Sequence, residues 1–287
     1  MQSQELLRYD LTGAKPFLKW AGGKSRMLKQ MLPLLPPESF RERYYEPFLG
    51  GGAMFFSLRP QSAVLSDRLQ EVVISFRVVR DNVDELKSRL RYYRRRHHED
   101  AKTFYAMTRK TNPRGLDSVE RAARLIYLNK TCYNGIYRVN SAWEFNVPMG
   151  VYKNPNILDS KTLDADSVAL RRAAIKHLDY SSAVEKLGRG DFVYLDPPYS
   201  GQFTGYHKNG FGMEDQENLA RVYRKLHDAG AHLMLSNGAD ERIRSLYQGF
   251  TRIHLEGRSV LSGKVKGRGK VEELLVINYD PKTGALT

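Results

Sequence analysis

Tyr44-Tyr45-Glu46-Pro47-Phe48-Leu49-Gly50-Gly51-Gly52-Ala53-Met54-Phe55-Phe56 is the stretch on which the reading of the fold turns. Tyr44–Phe48 reads as a short apolar strand, the glycines as a tight turn, and Ala53 onward as the start of an apolar helix. A second strand, Ser62–Ser66, follows and ends at Asp67. Strand, glycine turn, helix and acid-terminated strand make a βαβ unit, so a mostly parallel sheet is expected. Ligands of such sheets gather beyond the carboxyl ends of the strands. The glycines let a backbone approach a ligand closely, and an acid ending the second strand is placed to hold ribose hydroxyls. An ordinary βα turn would also use these glycines, and the Phe-x-Gly-x-Gly spacing is not the dinucleotide pattern G-x-G-x-x-G.

Working outward, the pattern is helical from about 69 to 130, with Val72, Val73, Phe76 and Val79 at helical spacing. Ser118 to Leu128 predicts another helix, with Ser118 as its N-cap. Residues 131–155, rich in Asn, Gly, Tyr and Pro, predict a loop or β-hairpin. After a further helical stretch, strands return at Phe192–Leu195, His232–Ser236, Thr251–Leu255 and Leu274–Tyr279. The first of these runs directly into Asp196-Pro197-Pro198-Tyr199. Two prolines cannot continue a sheet, so they fix a rigid, extended exit. That turn presents a carboxylate, a backbone carbonyl and an aromatic ring together, a set suited to an exocyclic amine on a planar base. Near the N-terminus, Pro16-Phe17-Leu18-Lys19-Trp20-Ala21-Gly22-Gly23-Lys24 places an aromatic, glycines and lysines before a helix, where free backbone N–H groups could meet a cofactor.

Composition narrows the class of partner. The 287 residues carry 46 Lys and Arg against 32 Asp and Glu, a net charge of +14. Each cation that neutralises a phosphate releases counterions, so this excess favours a polyanion. The charge is concentrated: residues 87–110 hold nine basic side chains against two acids, and Arg258, Lys264, Lys266, Arg268 and Lys270 form a second cluster. One cysteine, Cys132, excludes an internal disulfide and a cysteine-cluster zinc site, so no metal is expected. The absence of a ~20-residue apolar run or a signal-like N-terminus predicts a soluble intracellular protein. Without dimerisation heptads, a monomer is expected.

Taken separately, the glycine loop resembles motif I of S-adenosylmethionine (SAM)-dependent methyltransferases, and Asp196–Tyr199 resembles motif IV of the amino-methyltransferases. Together with the N-terminal block they resemble the Dam-type, GATC-specific DNA adenine-N6 methyltransferases of the D12 class. The likeness extends through Arg121–Tyr127, residues 133–140, 144–153 and 203–206, and Leu235-Ser236-Asn237. It implies a Rossmann-like α/β fold, a mixed sheet flanked by helices. A SAM-binding catalytic domain would comprise residues 1–69 and 159–287, interrupted by a mostly helical target-recognition domain, 70–158, carrying a β-hairpin.

By this resemblance Trp20, Ala21, Lys24, Pro47, Phe48, Gly50, Gly52 and Asp67 line the SAM site, with Asp179-Tyr180 beside the cofactor adenine. Asp196, Pro197, Pro198 and Tyr199 form the catalytic turn, Asp196 also bordering SAM. Lys19, Asn134, Ile136, Arg138, Pro148 and Tyr152 would read or separate bases in double-stranded DNA, while Asn140 and Asn146 touch phosphates. Arginine suits bidentate reading of guanine, and proline or isoleucine can meet a thymine methyl. The resemblance further implies a cytoplasmic enzyme of a bacterium or phage-infected host, beside a restriction endonuclease or alone. One departure stands out: only Ser200-Gly201-Gln202 separates Tyr199 from Phe203, where GATC-type relatives carry a longer loop. Another DNA sequence, cytosine N4 or RNA therefore stay open as targets. So do a catalytically silent DNA-binding module and, more remotely, a nicotinamide oxidoreductase.

Overall fold

A computed structural model describes residues 13–20, 22–37, 42–140, 144–199, 211–258 and 270–287. Ala21, the short loop from Ser200, the matched segment 203–206 and residues Lys264, Lys266 and Arg268 lie outside the described residues. The helices are α1 (Leu28–Met31), α2 (Ala53–Leu58), α3 (Gln70–Asp81), α4 (Val83–Glu99), α5 (Ala101–Lys110), α6 (Ser118–Thr131), α7 (Ser160–Leu170), α8 (Tyr180–Ala183), α9 (Met213–Asp228) and α10 (Glu241–Leu246). The strands are β1 (Tyr44–Glu46), β2 (Ala63–Asp67), β3 (Ala173–His177), β4 (Phe192–Leu195), β5 (His232–Gly238), β6 (Thr251–Arg258) and β7 (Lys270–Ile277). None of the helices among the described residues is long and apolar enough to cross a membrane.

The strands form one mixed sheet in the order β3-β2-β1-β4-β5-β7-β6. β1 pairs in parallel with β2 and β4, and β4 with β5. β7 is antiparallel to both β5 and β6. The parallel centre matches the expectation from the βαβ stretch. β4 is buried along its whole length, as an uninterrupted Phe-Val-Tyr-Leu run requires of a strand covered on both faces. β3 was not foreseen; its Ala-Ala-Ile-Lys-His sequence gives little apolar signal, although burial alternates over its first four residues.

Contacts divide the chain into two units. A helical unit comprises Met1–Gly23, Gly50–Arg59 and Leu69–Ile175; a sheet unit comprises Lys24–Leu49, Pro60–Arg68 and Lys176–Thr287. These boundaries differ from the 70–158 insertion read from the sequence: the N-terminal block, α2 and α7 group with α3 to α6. In the sheet unit Val193, Leu195, Leu233, Leu235, Leu274 and Val276 pack with Leu219, Tyr223 and Leu226 of α9. In the helical unit Val72, Val73, Phe76 and Val79 are buried as their spacing predicted. Tyr127 is ringed by Tyr93 and Phe104, centroids 5.3 and 5.1 Å away in edge-on contacts.

One local expectation needs correction. Asp117, not Ser118, caps α6, its carboxylate accepting from the Glu120 N–H at 2.8 Å. A carboxylate at that position also meets the positive end of the helix, which a serine cannot do. The 131–155 segment forms no regular strands among the described residues. It is held by single antiparallel bridges, Cys132 to Met149 and Val139 to Phe145, and by hydrogen bonds from its own asparagines.

Candidate active site

β4 ends where its buried ladder must stop, because Pro197 cannot donate to a neighbour. The residue before that proline is Asp196. Its Oδ1 accepts from Lys24 Nζ at 2.7 Å and from Ser236 Oγ at 2.9 Å. Ser236 lies near the end of β5, and its hydroxyl also pairs with that of Tyr194 at 2.9 Å. Further along the turn, the Pro198 carbonyl accepts from Gln216 Nε2 at 3.1 Å, and Gln216 Oε1 from Asn237 Nδ2 at 2.8 Å. Gln216 and Asn237 are fully buried, so both ends of the turn are anchored in the core.

Tyr199 closes the turn. Its ring is half-buried and packs against Gly238, where an added Cβ would stand 3.8 Å from the ring. Lys24 Nζ lies 4.8 Å from the ring centroid. The hydroxyl is buried and interacts with the Glu273 carboxyl, but neither reaches a well-formed hydrogen bond. Glu273 Oε2 in turn stands 3.8 Å from Lys24 Nζ. Burial pushes the Glu273 carboxyl above the ordinary range, while Lys24 and Tyr199 draw it back. Burial and the neighbouring carboxylates raise the Tyr199 hydroxyl far above its usual value, so it stays neutral. One ammonium thus serves two carboxylates beside a neutral phenol.

The loop after β1 contributes to each unit separately. In the sheet unit Pro47 is buried, and Phe48 stacks on Tyr180 with centroids 5.2 Å apart. Phe211 meets Phe48 edge-on at 6.0 Å. Asp67 ends β2, half-buried, and Asp179 caps α8 by accepting from the Ser181 N–H and hydroxyl. Arg68 lies 3.7 Å from Asp179, an exposed pair of small energetic weight. In the helical unit Gly50 adopts φ +48° against the indole of Trp20, and a Cβ there would lie 2.6 Å from Cδ1. Gly52, at φ +68°, begins α2. Only glycine meets both demands at position 50.

Also in the helical unit, buried Asn129 accepts from the Lys19 N–H at 2.8 Å and donates to the Lys19 and Gly135 carbonyls at 2.7 and 2.9 Å. That clamp brings Lys19 to Asn134-Gly135, with Asn134 in the left-handed region at φ +54°. Lys19 Nζ stands 4.7 Å from the Tyr152 ring centroid, and Trp20 stacks near Tyr137 at 6.2 Å. Arg138 Nε donates to Asn146 Oδ1 at 2.7 Å, and Asn140 bonds Glu144 twice through its side chain. Asn134, Arg138, Asn140, Pro148 and Tyr152 are exposed; Ile136 and Asn146 are half-buried. Cys132 is buried, and burial lifts its thiol to about 11, which leaves it inert as a nucleophile.

A sequence model of the D12 class N6 adenine-specific DNA methyltransferases matches residues 20–261. The chain belongs to this family. Relatives include the type II methyltransferase M1.LlaDCHI of Lactococcus lactis subsp. cremoris, 38% identical over 96% of this chain and 99% of its own length. The type II methyltransferase M.MjaIII of Methanocaldococcus jannaschii is 40% identical over 92% and 99%. A DNA adenine methylase of Serratia marcescens is 30% identical over 92% and 98%. As a D12 methyltransferase the protein is an enzyme with DNA as its substrate, and the family implies SAM as methyl donor.

Around the residues singled out in the sequence, the structure adds contacts that the sequence did not announce. Lys24, expected at the cofactor, is in direct contact with Asp196. Ser236, Gln216, Asn129 and Glu273 carried no assigned role. Ser236 stood inside a matched tripeptide, which is the one signal that could have singled it out. Glu273 lies in β7, and the rule of searching strand carboxyl ends passes over it. Because β7 runs antiparallel, its Glu273 stands opposite Gly238 at the carboxyl end of β5.

Proposed function

We propose that the protein transfers the methyl group of SAM to N6 of an adenine turned out of duplex DNA, within GATC. The observation that carries this reading is the Asp196 carboxylate, fixed by Lys24 and Ser236 at the mouth of a proline-locked turn beside Tyr199. When bound, SAM supplies an electrophilic methyl on a positively charged sulfur. The rest falls to the chain. Adenine N6 is a weak nucleophile because its lone pair is conjugated with the ring. Hydrogen bonds from the amino group to Asp196 and to the Pro197 carbonyl localise that lone pair. Tyr199 supplies a stacking surface that offsets the few kcal/mol of extruding the base. Catalysis is then positioning and electrostatics, with no covalent enzyme intermediate.

For SAM, the Phe48, Tyr180 and Phe211 rings suit a planar adenine, and Asp67 suits ribose hydroxyls. The resemblance assigns Trp20, Gly50 and Gly52 to the same cofactor, with Pro47 and Asp179 as supports; Ala21 belongs to the same block as Trp20. For DNA, Arg138 reads guanine, Ile136 and Pro148 meet a thymine methyl, and Lys19, Asn134 and Tyr152 act at the target pair. Asn140 and Asn146 contact phosphates and fix register. The names of the two type II relatives favour a restriction endonuclease as partner, and a DNA substrate favours the cytoplasm.

The test uses duplexes carrying GATC or each single-base variant, with modified bases mapped after incubation with SAM. N6-methyladenine confined to GATC is expected. Equal methylation of every variant, or N4-methylcytosine as product, overturns the assignment. Arg138→Ala should cut discrimination at the guanine by about 10-fold or more, the value of one bidentate contact, while SAM binding stays intact. Unchanged discrimination removes Arg138 from the readers.

A further inference from the structure

We propose that Glu273 is a positioning residue for methyl transfer, holding the Lys24 ammonium and the Tyr199 hydroxyl so that acid and stacking ring keep one geometry. This rests on the reading of Asp196–Tyr199 as the amine site. Three observations carry it. Glu273 stands 3.8 Å from the same Lys24 nitrogen that donates to Asp196 at 2.7 Å. The Tyr199 hydroxyl and Glu273 Oε2 are both buried with no hydrogen-bond partner among the described residues, and the carboxyl is among the groups that act on the hydroxyl. Opposite Glu273 on β5 is Gly238, and the Tyr199 ring packs at that position, 3.8 Å from where a Cβ would stand.

The arrangement is costly for stability alone. Burying a second carboxylate beside a single ammonium rarely outperforms an apolar residue in the same space. It does suit the reaction. Lys24, Asp196 and Glu273 together hold a surplus of one negative charge, and the positive charge that the reaction moves onto the amine then meets it. Electrostatic preorganisation of that kind acts on the rate, not on substrate affinity.

The titratable groups facing Glu273 are Lys24, Asp196, Tyr199 and Tyr194. β6 contributes Leu255 opposite it and β5 contributes Gly238, neither of which titrates. Burial keeps both tyrosines neutral. As pH falls Glu273 takes up a proton early, because its carboxyl sits above the ordinary range, and the surplus charge disappears.

Glu273→Gln keeps the shape and removes the charge. The variant is expected to fold and to bind SAM and DNA with KM values within about 3-fold of wild type. Its kcat is expected to fall by about 10-fold or more, with loss of the acidic limb that Glu273 gives the wild-type profile. Tyr199→Phe keeps the ring and removes the hydroxyl. Its defect should not add to that of Glu273→Gln in the double variant. A wild-type kcat and pH profile in Glu273→Gln overturns this proposal and leaves the Asp196 reading standing. If that variant does not fold, an unaltered kcat and profile in Tyr199→Phe overturns it equally. Full activity in Asp196→Ala would instead bring down the site reading beneath both.

Discussion

Lys24 is 3% exposed, and its ammonium has two carboxylates within 4 Å, half-buried Asp196 at 2.7 Å and buried Glu273 at 3.8 Å. Replacing it by methionine leaves those carboxylates without their shared counter-ion. Breaking such a cluster costs about 3 kcal/mol of stability, and Lys24→Met is expected to lower kcat by roughly 100-fold through the displaced Asp196. A variant melting and turning over like wild type would show that Lys24 orients nothing. Asp166 offers a separate test in the helical unit. Burial lifts its carboxyl to about 8, opposed by the Lys15 N–H at 2.9 Å. Its folded value lies above the unfolded one, so the stability it contributes is complete below about pH 4 and lost as pH rises towards 8. Melting temperature should decline over that window, and less steeply in Asp166→Asn; equal slopes would contradict the account. Residue types at the Asp196–Tyr199 turn were legible in the sequence, but their partners were not. Lys24 and Asp196 are 172 residues apart, and no local pattern reports a contact at that separation.

At the scale of elements, β4 was read with its observed bounds because an unbroken apolar run meets a proline stop. The central helical stretch was legible for a similar reason, the spacing of Val72, Val73, Phe76 and Val79, although the cap read at Ser118 lies at Asp117. β3 and the edges of β6 and β7 were less so. β7 begins four residues before the apolar run Leu274–Ile277, and those residues, three of them charged, pair with β6 although their composition does not announce a strand. Residues 131–155 were the least legible stretch. Its shape depends on asparagine side chains bonding local backbone, which competes with regular pairing. The anchoring of the catalytic turn by α9 yields a prediction of its own. Gln216→Leu removes the bonds to the Pro198 carbonyl and to Asn237, leaving buried polar groups unpaired at a cost of about 1–3 kcal/mol. A kcat loss larger than the loss in KM is expected. A change confined to KM would show that the turn holds its shape without α9.

For the whole molecule, the charge of +14 predicts DNA affinity that falls steeply with salt. With about 6–10 phosphate contacts, affinity should drop on the order of 1,000-fold or more between about 50 and 200 mM salt. A flat dependence would argue that the basic helices lie off the DNA. Composition disclosed a polyanionic partner, and the joint motifs disclosed the family; neither could disclose that one ammonium is shared by two carboxylates. The most direct test of the central claim is product analysis of duplex DNA incubated with SAM and either wild-type protein or Asp196→Ala. The account predicts N6-methyladenine with the wild type and a loss of about 100-fold or more with the variant, which still folds and binds SAM. Methylation at an undiminished rate by Asp196→Ala would contradict it.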